Sequence, residues 1–325
     1  MGYGVNNTGR NYSTIRSCYI VQGKPASPAS NSLSVYMANA SFNRIYNNTI
    51  IMNSSMTGAV SGAVTLAYSS FNNSVYSNVI EISNDGADGV NLGYNSFNNS
   101  VYNNNITVSG GADVSGIENG VYMFRKSYFN RIYNNNITAY GDGENGVFLD
   151  NAAYNNSIFG NIIINNGTSD GNTAGYGVHL AVNSDNNSIY DNTIKANGSV
   201  GGSSGYGVYL DTGYGPGGAY GNSIYNNNIS SYNSVGIYAG TSAYKTAIYG
   251  NNISSSYRGI VLDSDIYDSS VHDNEITSNL GQGIYLAGTA GSSYRNEIYR
   301  NRVSVQGSGY SGMTFTASSF IGESV

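Results

Sequence analysis

Three aspartates close the same short phrase, "FLD" at 148–150, "YLD" at 209–211 and "VLD" at 261–263. A carboxylate set directly after an apolar strand is well placed to act as a general acid or base, so Asp150, Asp211 and Asp263 are the candidates for that work on a polysaccharide. If the phrases fall on alternate turns of a coil, neighbouring pairs stand about 9 to 10 Å apart by strand spacing, near the upper limit for an inverting glycosidase. An Asp that opens a polar turn also bonds to that turn's own backbone, which is the plainer use of the same residue.

Aromatic residues recur in two further frames. One, in the middle of the same phrase, holds Tyr36, Tyr122, Phe148, His179, Tyr209, Tyr238 and Tyr285, with Thr65, Asn91, Val261 and Thr314 in the remaining slots. Rings in a row between loops suit a sugar, and Tyr122, Phe148, His179, Tyr209, Tyr238 and Tyr285 are the glycan-binding candidates, although cross-strand stacking alone also favours aromatics there. The other frame holds Tyr46, Tyr76, Tyr102, Tyr133, Phe159, Tyr190, Tyr225, Tyr249, His272 and Tyr299. Its tyrosines are candidates for lateral assembly, with ladder stacking as the alternative. His179 and His272 occupy aromatic slots in different frames and read as surface substitutions, not catalytic partners. Fifteen Asn-x-Ser/Thr triplets occur, a modest excess for so Asn-rich a chain, and those at Asn53, Asn166 and Asn197 are placed in loops where a glycan would fit. No metal or cofactor is expected, and the single cysteine, Cys18, rules out an internal disulfide framework.

The elements that must position these residues follow from a repeat. Aligned on one Asn, the units carry Asn48, Asn78, Asn104, Asn135, Asn161, Asn192, Asn227, Asn251, Asn274 and Asn301, with Cys18 in the first slot and spacings of 23 to 35 residues. Each unit reads Gly, a short apolar strand, a polar turn, a second strand around Ile or Val, the Asn pair, a third strand, then a loop. Three short strands per unit is the grammar of a parallel β-helix. Strand alternation points Val121 and Met123, Val147 and Leu149, Val178 and Leu180, Val208 and Leu210, and Ile284 and Leu286 inward. The bend between the second and third strands needs a residue tolerant of the left-handed region, which Asn supplies, and stacked amides bond along the axis. A second Asn column (Asn43, Asn73, Asn99, Asn130, Asn156, Asn187, Asn222, Asn296) closes another bend, and a Gly column (Gly89, Gly120, Gly146, Gly177, Gly207, Gly236, Gly259, Gly283) marks the third corner, where backbone freedom is expected to matter.

Bulk properties narrow the partners. Only 10% of the 325 residues are charged and the net charge is −6, which argues against nucleic acid or an anionic membrane. No apolar run is long enough to span a bilayer. With 40% hydrophobic residues in register and only three prolines, the chain has the core that a disordered polar chain lacks. The opening "MGYGVNNTGR" and the closing "GMTFTASSFIGESV" both read as interrupted units, so residues 1–325 are expected to be a single solenoid domain, a fragment or mature segment of a longer repeat protein with bare ends able to stack on another copy.

Units such as "GVYLDTG…NSIYNNNIS" resemble the right-handed parallel β-helix repeats of the pectate-lyase-like superfamily, especially the Asn-rich NosD-like and carbohydrate-binding repeats of archaeal surface proteins. The resemblance spans essentially the whole chain. It implies an all-β, single-stranded right-handed parallel β-helix of about eleven rungs of three short strands. That superfamily holds lyases, hydrolases, tailspikes, adhesins and structural proteins. The signatures of its hydrolases, an Asn-Thr-Asp, a paired Asp-Asp and a Gly-His-Gly, are absent from this sequence. The expected function is therefore a non-catalytic extracellular or cell-surface element, structural or adhesive, self-associating end to end or laterally and binding glycans. The alternatives are a polysaccharide lyase or hydrolase with a sugar groove on the first sheet, and a trimeric tailspike-like receptor binder.

Overall fold

The computed structural model describes residues 2–23, 32–53, 62–83, 86–110, 118–141, 143–167, 175–198, 205–211, 218–287 and 293–316. Among the described residues every regular element is a β-strand, and the strands fall into three parallel sheets of 12, 11 and 11 strands. Each sheet takes every third strand in chain order, so one turn of the coil contributes one strand to each sheet; Asn119–Met123, Arg131–Tyr133 and Asn136–Tyr140 make up one such turn. No helix of the described residues is long and apolar enough to cross a membrane.

Register is strict because the inward residues leave no choice. Val121 pairs with Val147 and Val147 with Val178 on the first sheet, Ile132 with Ile158 on the second, and Ile137 with Ile163 on the third. All of these are fully buried. A one-residue slip in a strand would turn its apolar set out to water, and each buried Ile or Leu is worth about 1.5–3 kcal/mol. The interior is thus a continuous aliphatic bore, as alternation in the sequence implies.

The two asparagines at the bend divide the work differently from the expectation. The stacked residue does not adopt the left-handed conformation; its predecessor does, at Asn47, Ser77, Asn103, Asn134, Gly160, Asp191, Asn226, Gly250, Asp273 and Arg300, with φ between 52 and 64°. The second residue turns its amide inward. Asn135 Nδ2 donates to Asn161 Oδ1 at 3.0 Å, to the Val101 carbonyl at 2.9 Å and to the Tyr133 carbonyl at 3.1 Å. Its Oδ1 accepts from the Asn104 backbone N–H and from Asn104 Nδ2. The same pattern runs from Asn48 to Asn301, so this buried column satisfies backbone groups that the bend would otherwise strand. The column from Asn43 to Asn222 does the same at the bend before the second strand, and Thr246 and Ser269 take two slots ahead of Asn296.

The glycine column is also corrected. None of its eight members has a positive φ. They are glycine because the wall of the bore is too close. A Cβ on Gly146 would lie 2.2 Å from Ile163 Cγ2 and 2.6 Å from the Gly177 carbonyl oxygen. Gly146→Ala is therefore expected to cost about 2 kcal/mol through overpacking, read as a lowered urea midpoint at unchanged slope.

Candidate functional site

The outer face of the first sheet gathers most of the candidate residues. The register aligns Tyr122, Phe148, His179, Tyr209, Tyr238, Val261 and Tyr285 in one column. The rings pack against each other: Tyr122 on Phe148 at 5.2 Å, Phe148 on His179 at 4.5 Å and His179 on Tyr209 at 5.0 Å, all within 20° of parallel. The stack breaks at Tyr238, which meets Tyr209 edge-on at 71°. Arg258 lies over the Tyr285 ring at 4.2 Å. The column is less open than strand alternation implies, for Thr65, Asn91 and Val261 are buried and the aromatics half-buried.

The cover comes from residues that the repeat alignment did not single out. Tyr176 and Tyr206, from the "GYGV" phrases at 175–178 and 205–208, stand one residue before the glycine column and form a second apolar cluster with Val235, Val261, Tyr209, Tyr238, Tyr257 and Tyr285. Recurrence of that tyrosine in "GYGV" was the available signal.

Each candidate aspartate is drawn into this face. Asp150 and Asp211 are on turns two apart, as are Asp211 and Asp263, with Ala181 and Gly240 between them. Asp150 Oδ1 accepts from the Asn151 N–H at 2.7 Å, and its Oδ2 accepts from the Tyr122 hydroxyl at 3.2 Å. Asp263 repeats the arrangement with the Ser264 N–H and the Tyr238 hydroxyl. Asp211 sits 3.4 Å from His179 Nε2 and accepts from the Tyr209 hydroxyl. Burial first, and the adjoining carboxylates second, hold the phenols of Tyr122 and Tyr209 above the ordinary tyrosine range. At Tyr238 burial is again the larger cause, ahead of its hydrogen bond to Asp263. Tyr206 is pushed up to about 12, chiefly by burial. These phenols are hydrogen-bond donors at neutral pH, not bases. His179 is not a surface residue, since its side chain is only 13% exposed between two rings.

On the second sheet the other column is continuous. From Tyr46 through Tyr76, Tyr102, Tyr133, Phe159, Tyr190, Tyr225, Tyr249 and His272 to Tyr299, successive rings stand 4.7–5.1 Å apart and 1–9° from parallel. Ring faces are turned to neighbouring rings, so the surface presents edges and hydroxyls. His272 also contacts Asp273, at 2.8 Å.

The glycosylation candidates have local partners. Asn53 Oδ1 accepts from Ser83 Oγ, and Asn166 Oδ1 accepts from Asn197 Nδ2 at 3.0 Å, one turn away. Asn197 ends the strand Thr193–Asn197 and is not a loop residue. Other triplets are by-products of the coil: Asn72, Asn98, Asn155 and Asn186 are left-handed corner residues, followed by a ladder Asn and an outward Ser.

A buried acidic corner was not anticipated. Asp88, Glu118 and Glu144 precede or begin first-sheet strands on three successive turns and are almost wholly buried. Asp88 takes the place of an amide in a third ladder, accepting from Asn119 through its backbone N–H at 3.1 Å and Nδ2 at 2.8 Å, and from Asn91 Nδ2 at 2.9 Å. Asn119 Oδ1 in turn accepts from Asn145 Nδ2. Burial raises Asp88 to about 7 despite these donors. The repeated "ENGV" at 118–121 and 144–147 was the trace of this corner in the sequence.

Comparison with known proteins places the fold. The family described as "Periplasmic copper-binding protein (NosD)" matches residues 203–324, less than half of the chain. A comparison with curated protein sequences finds no match. Among solved structures, the Dettilon tailspike protein superposes with a TM-score of 0.54 at 18% identity over 94% of this chain, which spans 58% of the tailspike's length. The mannuronan C-5 epimerase AlgE6 A-module of Azotobacter vinelandii gives 0.49 at 11% identity, over 93% of this chain and 90% of its own. An alginate lyase from Paenibacillus sp. gives 0.47 at 11% identity, over 92% and 98%. The chain shares with the tailspike the right-handed parallel β-helix fold. A copper site does not fit the residues present: the matched segment holds one histidine, His272, one methionine, Met313, and no cysteine, whereas copper favours imidazole and sulfur donors in sets. Among the described residues no three of His, Cys, Asp or Glu converge.

Proposed function

We propose that this right-handed β-helix is a binding and scaffold protein of the cell exterior that holds a glycan along its first-sheet face, with Asp150, Asp211 and Asp263 as structural acceptors. The observation that carries this reading is that both carboxylate oxygens of Asp150 and Asp263 are committed, one to the turn backbone and one to a tyrosine hydroxyl. Fixed in that way, these acids orient Tyr122 and Tyr238 toward an incoming sugar hydroxyl. Candidate pairs two turns apart are separated by about 9 to 10 Å by strand spacing, too far for a retaining pair. The low charge and the periplasmic description of the matched family support an exported location. The row of tyrosine hydroxyls on the second sheet supports lateral contact between copies.

A lyase or hydrolase reading rests on one group, His179 with Asp211 and Tyr209, where an imidazole, a carboxylate and a phenol converge. Incubation with a panel of acidic and neutral polysaccharides separates the readings. The expected result is retardation of a polysaccharide in affinity electrophoresis without unsaturated product or new reducing ends. Product release that vanishes when Asp150, Asp211 and Asp263 are all changed to Asn would establish the enzyme reading. Product release retained in that variant would place catalysis elsewhere.

A further inference from the structure

A concave patch lies away from the first sheet, at the corner where the chain enters the second. A dent of about 380 Å³ opens there, lined by Phe129, Arg131, Asn98, Asn155, Ser100 and Ser157. Its shape follows from the repeat. Phe129 occupies a left-handed corner position, as do Asn98 and Asn155 on the turns before and after it. Arg131 occupies the outward slot of the second sheet between Ser100 and Ser157. One large ring and one long cation therefore rise from the middle turn between small polar residues on both sides.

Two features equip this place for a ligand, and the first separates it from the matching corner at 42–48. Phe129 is 52% exposed and makes one aromatic contact, edge-on to Tyr128 at 70°, so it stands outside the stacked rows. The same phrase, "FNRIYNN", occurs at 42–48, but there Phe42 is stacked flat on Tyr12 at 5.1 Å and 7°. Arg131, like Arg44 in the matching phrase, makes no ion pair among the described residues, whereas Arg295, Arg300 and Arg302 each pair with an acid; what sets Arg131 apart is the unstacked Phe129 beside it. An unneutralised guanidinium on a chain of net charge −6 is a local positive spot.

We propose that this corner binds an anionic sugar unit, its carboxylate or sulfate on Arg131 and the apolar face of its ring on Phe129. The guanidinium fork matches a carboxylate or sulfate in two parallel hydrogen bonds. The amides of Asn98 and Asn155 and the hydroxyls of Ser100 and Ser157 supply donors and acceptors for ring hydroxyls, and the dent is of the size that small ligands occupy. The first-sheet face is independent of it, being on another sheet.

The test is calorimetric titration of the intact chain with short oligogalacturonate, with a sulfated oligosaccharide of similar length and with a neutral gluco-oligosaccharide. Weak, salt-sensitive binding of an anionic ligand is expected, with the first two arms identifying the acid group. Arg131→Gln is expected to weaken it ~10-fold or more and Phe129→Ala about fivefold, with Arg44→Gln unchanged. Both side chains are exposed, so melting temperatures should hold. Equal binding of the neutral oligosaccharide, or no binding of any, overturns the proposal. Binding that ignores Arg131→Gln but is lost in Tyr209→Ala with Tyr238→Ala would assign the ligand to the first-sheet face, overturning this site while leaving the earlier reading intact.

Discussion

Asn135→Ala is expected to destabilise the coil by on the order of 4 kcal/mol, while Asn134→Gly, one residue earlier, should leave stability nearly unchanged. The two side chains look interchangeable in "YNNN", but their surroundings differ. Asn135 is 2% exposed and sits inside the ladder. Removing it strands the Asn104 N–H, takes from Asn104 Nδ2 one of its three acceptors, and deprives the Val101 carbonyl and Asn161 Oδ1 of a donor each. Each buried orphan costs about 1–3 kcal/mol, and partial relaxation keeps the total below the simple sum. Asn134 is exposed with φ of 54°, so glycine relieves the left-handed strain while adding freedom to the unfolded chain, and the two nearly cancel. Asn134→Val should cost about 1–2 kcal/mol, because a β-branched residue resists that conformation. Urea denaturation of the three variants checks the assignment. Equal losses for Asn135→Ala and Asn134→Gly would mean that the ladder adds nothing beyond bend geometry.

That contrast shows how much was legible. The bore, the strand count and the stacked amides followed from spacing, since a fixed period of inward Ile and Val has one economical solution. The division of labour within the Asn pair was also present but misread. The first slot accepts Asn134, Gly160, Asp191, Ser77 and Gly250, the mixture a left-handed corner tolerates, while the second holds Asn from Asn48 to Asn301. A slot that admits glycine is selected for backbone conformation; one that never does is selected for its amide. Similarly, the glycine column looked like corner freedom and proved to be clearance for Ile106, Ile137 and Ile163, each on the third strand of the same turn, and for the glycine carbonyl of the next turn, close approaches that strand alternation does not reveal. The cover over the first sheet was least legible. Tyr176 and Tyr206 leave segments of irregular length, so nothing in the period fixes where their rings fall.

The acidic corner gives the second large effect, a stability that falls as pH rises. Asp88 is carried from 3.8 in the unfolded chain to about 7 in the folded one, mainly by burial, with Glu118 adding to the rise. Below pH 4 the group is protonated in both states and has no influence. Between about 4 and 7 the folded state binds the proton that the unfolded state has released, so stability declines through this window and levels off above it. The full span corresponds to about 4 kcal/mol as an upper bound. Asp88→Asn should remove this group's share of the decline, because an amide is what the next two turns carry in this ladder, at Asn119 and Asn145. Its Oδ1 can keep both bonds from Asn119. Its Nδ2 would replace an acceptor for Asn91, which must then turn its amide over; Asn91 Oδ1 is buried and unpaired already, so one orphan atom is exchanged for another. The variant should therefore exceed the parent by about 2–4 kcal/mol at pH 8 and match it near pH 4. The difference between the two urea stability curves isolates Asp88 from Glu118 and Glu144, which both proteins retain. Curves that run parallel from pH 4 to 8 would mean that Asp88 is ionised throughout, held by the three N–H donors against the cost of burial.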